Sequence, residues 1–199
     1  MQILAGTKNA GKIRELKELL AGLPINLQSL NEFENIVEPE ETGATFAENA
    51  ALKAVYYARE TGLAALADDS GLEVEALNNA PGVYSARYAG ATASDAEKIS
   101  KLLNEIKTVK EENRSARFVC AIALTDKSGE IIFQTEGICR GKIASAPAGK
   151  NGFGYDPVFI PEGFDETFGE LSGAIKSNLS HRARAIEKII QFLRDLQAV

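Results

Sequence analysis

Two aspartates, Asp68 and Asp69, follow directly on the apolar run Leu63-Ala64-Ala65-Leu66-Ala67 and precede Ser70-Gly71. Charged side chains rarely enter a core unpaired. Successive residues of a strand point to opposite faces, so an extended chain here turns one carboxylate towards a ligand. The other can hold the loop through the Ser70 or Gly71 N–H groups, or the pair can simply form an Asx-turn at a strand end. A second candidate is the loop "GTKNAGK", which fits G-x-x-x-x-G-K at Gly6, Gly11 and Lys12 between a strand and a helix. The next residue is Ile13, where a Walker A motif needs Ser or Thr for magnesium. The setting still presents free backbone N–H groups and the positive end of a helix dipole to an anion. Thr7 and Asn9 add polar groups, and Lys8 and Lys12 add charge. In "TFAENAALKAVYYA", Asn49 and Lys53 are four apart and share one side of a helix. The acidic loop before it, with Glu38, Glu40 and Glu41, offers oxygen ligands to a divalent cation. Lys12, Lys53, a glutamate and Asp69 in one cleft are the parts for magnesium–phosphate chemistry.

These residues need positioning elements. "QILA" reads as a strand and "KIRELKELLAG" as a helix ending near Gly22. Thr45 with Glu48, and Ser94 with Glu97, have capping-box spacing and start helices running to about Gly62 and Lys107. "LAALA" is a buried strand ending at the aspartates. "ARFVCAIALTD" and "EIIFQTEGICRG" are long strands around the turn "KSG"; "PAGKNGFGYDP" is a Gly-rich loop before the strand "VFIP". "LSHRARAIEKIIQFLRDLQ" closes the chain as a helix capped by Ser180. Strands alternate with helices early and a long hairpin follows, which predicts a mixed α/β sheet fold.

The 199 residues, 45% of them hydrophobic, suit one domain, which can have two lobes. A net charge of −6 argues against nucleic acid as a partner, which needs clustered cations. Cys120 and Cys139 form no CxxC pair, and with one histidine they cannot build a zinc site of usual type. The longest apolar run, "FVCAIAL", is far short of a membrane span. A cytoplasmic protein with reduced cysteines and no membrane partner is expected.

The blocks "GTKNAGKIRELKELL", "EETGATFAENAALKA", "ADDSGL", "APGVYSARYAG", "GFGYDPVF" and "SHRARA", in that order, resemble the signature of the Ham1 family, the inosine triphosphate pyrophosphatases or XTP/dITP diphosphatases. The resemblance implies an elongated mixed β-sheet flanked by helices, with two lobes around a central nucleotide-binding cleft. It also implies a magnesium-dependent homodimer that converts ITP, dITP and XTP to monophosphate and pyrophosphate. By the same resemblance, the phosphate loop is Thr7, Lys8, Asn9, Ala10, Gly11 and Lys12, joined by the helix lysine Lys53 and by Ser70. Glu41, or its neighbour Glu40, takes the acidic metal position, and Asp69 is metal ligand and general base. Phe153, Gly154, Tyr155 and Asp156 form the base-binding loop; Lys176, His181 and Arg182 complete the nucleobase set. Two positions depart from the pattern: Ile175 stands where an acidic residue is expected, and Lys8 where small residues are common. Two other readings make different products: a P-loop-like switch or kinase releases or transfers orthophosphate, and a non-catalytic nucleotide-binding module turns nothing over.

Overall fold

The aspartates lie inside a strand rather than at its end. In the computed structural model, which describes residues 2–197, β3 runs from Ala64 to Val74 and both carboxylates are buried. It pairs in parallel with β1 (Gln2–Ala5), Ile3 opposite Ala64, and β1 pairs in parallel with β2 (Asn26–Ser29). On the other side of β3 come β4 (Ser115–Thr125), β5 (Ile131–Ile143) and β6 (Phe159–Pro161), giving the order β2-β1-β3-β4-β5-β6. The β5–β6 pair is antiparallel, so the sheet is mixed as expected.

The helices start where capping chemistry places them. α1 (Ala10–Leu19) is capped by Asn9, whose side chain accepts the Lys12 N–H. α2 (Phe46–Thr61) and α3 (Asp95–Glu105) open on the Thr45–Glu48 and Ser94–Glu97 capping boxes, and α2 closes on Gly62 at φ 66°. The C-terminal helix α5 (His181–Gln197) starts directly after Ser180, as expected, and a short helix that the sequence did not suggest, α4 (Gly173–Leu179), precedes it, with Ser180 extended between the two. Among the described residues no helix is long and apolar enough to cross a membrane.

The chain forms two units. The first comprises Met1–Asp69, Cys120–Gly137 and Arg182–Val199; the second comprises Ser70–Val119 and Ile138–His181. In the first, strand alternation divides the core. Ile3, Leu66 and Ile122 pack with Leu16 of α1 and Ile186 and Ile189 of α5, whereas Leu4 and Ala65 pack with Tyr57 and Ala58 of α2. Helices on both faces explain why β3 reads as a continuous apolar run before the aspartates. Gly6 lets the first loop lie against this strand: its N–H donates to Leu66 O at 2.8 Å, and a Cβ there would sit 2.8 Å from Ala67 Cβ. In the second unit, Leu72, Val74, Phe118, Cys139 and Phe159 pack with Ile99 and Leu102 of α3 and with Phe168.

Candidate active site

Asp68 and Asp69 point to opposite faces of β3, as alternation requires, and each meets cations. Asp68 Oδ2 accepts from Arg182 Nη2 at 2.9 Å and lies 3.0 Å from Lys12 Nζ. Burial alone would raise the Asp68 carboxyl, but Lys12, Arg182 and Lys53 hold it well below the usual carboxylate range. Arg182 also donates to Glu15 and is 1% exposed. Burial works against its charge, and Asp68, Cys120 and Glu15 carry it above its ordinary value. Cys120 Sγ lies 3.8 Å from Asp68 Oδ2, and burial followed by that charge pushes the thiol up to about 12, which keeps it inert.

On the other face, Lys53 Nζ bridges two carboxylates, Glu41 Oε1 at 2.6 Å and Asp69 Oδ1 at 3.3 Å. Asn49, one turn before Lys53 on α2 and fully buried, donates to Asp69 Oδ2 at 3.2 Å and accepts the Gly43 N–H at 2.8 Å. The same amide therefore holds the acidic loop and the aspartate. Burial pushes Asp69 above the ordinary carboxylate value, with Glu41 adding and Lys53, Lys12 and Asn49 opposing. Burial would lower Lys53, yet Asp69, Asp68 and Glu41 carry it above its usual range. The site thus combines a fixed ammonium with a carboxylate of raised proton affinity.

At the start of α1, Thr7 Oγ1 accepts the Asn9 N–H at 3.2 Å, which shapes the loop. Ala10 and Gly11 form the first turn of the helix, whose N–H groups are those suited to an anion. Lys8 is turned to the Ile36 carbonyl at 2.9 Å. Ile13 is buried in the core, so the place of the Walker hydroxyl is taken by packing.

In the second unit, Asp156 Oδ2 accepts the Phe153 N–H at 2.8 Å and the Lys176 ammonium at 2.6 Å. Lys176 Nζ also stands 4.6 Å from the Phe153 ring centroid. Tyr155 is buried and donates to the Ser85 carbonyl at 3.1 Å, so its role is to hold the loop. His181 is 5% exposed and stacks on Phe118, centroids 4.7 Å apart. Ser70 is half-buried within β3.

A model of the Ham1 family matches residues 3–192. The chain belongs to the Ham1 family. This Ham1 chain is similar to a protein of Oceanobacillus iheyensis named dITP/XTP pyrophosphatase, 45% identical over 98% of this chain and 99% of that one. Solved structures of Ham1 proteins from Coxiella burnetii and Staphylococcus aureus superpose with TM-scores of 0.89 and 0.87, at 44% and 40% identity. Each covers 98% of this chain, and the match covers 99% of each solved chain.

Within the Ham1 chain, the structure gathers Glu41, Lys53 and Asp69 as the sequence suggested, and joins Lys12 to Asp68. The sequence pointed Arg182 only towards a base; the structure gives it two carboxylate partners. Asp68 was expected to point to the opposite face or to the loop; it lies on the opposite face, where it meets Lys12 and Arg182. Sequence reasoning missed Glu15 and the clamp by Asn49. The four-residue step from Asn49 to Lys53 was the available signal, because it places the amide over the carboxylate that the lysine meets.

Proposed function

We propose that this Ham1 chain hydrolyses the non-standard purine triphosphates ITP, dITP and XTP to the nucleoside monophosphate and pyrophosphate. The observation that carries the reading is the cluster of half-buried Glu41 with buried Lys53 and Asp69, in the same unit as the α1 phosphate loop. Relatives named dITP/XTP pyrophosphatase support it.

Water attacks the α-phosphorus, and charge builds on the bridging oxygen and on the leaving β,γ-phosphates. Lys12, Lys53 and the first N–H groups of α1 offset that charge by position and electrostatics. Asp69 orients the water and takes its proton; a buried carboxylate with raised proton affinity suits that task near neutral pH. Asn49 and Lys53 bind one oxygen each, and every carboxylate oxygen has a second lone pair for the water.

Glu41 and Asp69 also fit a divalent cation. They are hard oxygen donors converging on one ammonium, and among the described residues no group of three or more His, Cys, Asp or Glu forms a cage. Two carboxylates, with water and phosphate oxygens completing the shell, is the arrangement magnesium takes. When bound, magnesium supplies charge neutralisation and a template for the phosphates.

Phe153 offers a ring for the purine to stack on. Lys176 is a donor with no acceptor, so it favours the 6-carbonyl of hypoxanthine or xanthine over the 6-amino group of adenine. The described chain is taken to act as one cytoplasmic pyrophosphatase domain and to pair as a homodimer, which light scattering checks. The function itself is tested by kcat/KM for ITP, XTP, dITP, GTP and ATP. An advantage of about 100-fold or more for ITP over ATP is expected, the worth of leaving a buried donor unsatisfied. Equal turnover of ATP contradicts it.

A further inference from the structure

The loop that carries Phe153 is fixed on both sides of the ring. On the near side, the Phe153 N–H is held by Asp156, and Gly152 passes so close that a Cβ would lie 1.9 Å from Asp156 Oδ2. On the far side the chain turns through Gly154 at φ 61°, and its N–H donates to Asp95 Oδ2 at 2.7 Å. Asp95 lies 59 residues earlier, at the first position of α3.

An acidic residue in a first turn ordinarily serves its own helix. Here the capping is done by Ser94 and Glu97, and Asp95 is spent on the loop and on Lys98, which meets its Oδ1 at 2.6 Å. Lys98 and the capping box fix the carboxylate on the helix, and the carboxylate fixes Gly154. A glycine in the left-handed region has no side chain to hold its conformation, so this hydrogen bond sets the backbone that follows Phe153.

We propose that Asp95 is a positioning residue for base recognition, holding the Phe153 ring at its working angle through the Gly154 N–H. The proposal rests on the reading that Phe153 takes the purine. Its test is steady-state kinetics with ITP, beside thermal melting, on Asp95→Ala, Asp95→Asn, Lys98→Ala and Phe153→Ala. Asp95→Ala is expected to raise KM about 10-fold with kcat within about 2-fold, the size of one charge-assisted hydrogen bond acting on binding. Asp95→Asn keeps an acceptor oxygen for Gly154 and brings KM back to within about 3-fold of wild type, and Lys98→Ala, which loosens the carboxylate but leaves its bond to Gly154, raises KM by less than Asp95→Ala, about 3-fold. If Phe153→Ala raises KM and Asp95→Ala does not, the positioning role is overturned and the base site stands. If Phe153→Ala leaves KM unchanged, the base-site reading fails and this one with it. Equal KM values for Asp95→Ala and Asp95→Asn, or a loss confined to melting temperature and kcat, also overturn it.

Discussion

Replacing Asp68 by Asn tests whether the two adjacent aspartates divide their tasks between stability and chemistry. One oxygen of Asp68 receives two cationic donors, Arg182 at 2.9 Å and Lys12 at 3.0 Å, and its side chain is 0% exposed. Each such charge-assisted bond contributes about 1.5–3 kcal/mol. Asn keeps the shape and a neutral acceptor, so roughly half is retained and the loss is about 1.5–3 kcal/mol. Its upper end meets the lower end for breaking a buried ion pair, because Arg182 stays buried with Glu15 as a carboxylate partner. In a chain of this size it lowers Tm by roughly 3–12 °C. Asp69→Asn should do the reverse. Burial already disfavours the Asp69 charge, and Lys53 keeps Glu41 at 2.6 Å, so Tm should move by no more than about 3 °C. Turnover should fall at least 100-fold, the usual range for losing a general base, whereas folded Asp68→Asn keeps kcat within about 10-fold. The assays are calorimetric melting and ITP turnover per folded protein. An Asp68→Asn protein that melts with wild type, beside an Asp69→Asn protein that turns over normally, refutes the division.

The pH dependence of Asp68 has a definite sign. Its folded pKa is held below the unfolded value of about 3.9, so its stabilisation is fully present above that value and is lost as pH falls towards the folded one. The Tm gap between wild type and Asp68→Asn should therefore narrow below about pH 4, and a gap that widens there contradicts the network. Gly6→Ala drives a Cβ to 2.8 Å from Ala67 Cβ and should cost about 1–3 kcal/mol in urea unfolding. Lys176→Met removes the donor beside Phe153 and should narrow the ITP-to-ATP ratio of kcat/KM by most of its expected advantage, about 100-fold. Chelation with EDTA should stop turnover reversibly while Tm shifts by only about 2 °C, since Lys53 already offsets Glu41 and Asp69 in the protein alone.

Short-range chemistry made the helix starts legible. Thr45 with Glu48 and Ser94 with Glu97 are contacts three residues apart, and both caps are present where their spacing places them. Alternation likewise sent Asp68 and Asp69 to opposite faces without knowledge of the fold. The extent of β3 was not legible, because two adjacent charges end most strands and continue this one only through partners supplied from elsewhere. Arg182 reaches Asp68 across 114 residues, and no local pattern encodes that meeting. The start of α5 was legible, because Ser180 was read as the residue before it. The short helix α4 was not: Ser172, which caps it, lies in a stretch with little apolar periodicity.

Attack at the α-phosphorus separates pyrophosphate release from orthophosphate release, and oxygen tracing shows which phosphorus takes the water. ITP is turned over in water enriched in oxygen-18, and the products are resolved by mass spectrometry. Attack at the α-phosphorus puts one heavy oxygen in the phosphate of IMP and none in pyrophosphate. Label in pyrophosphate, or release of IDP with labelled orthophosphate, contradicts it.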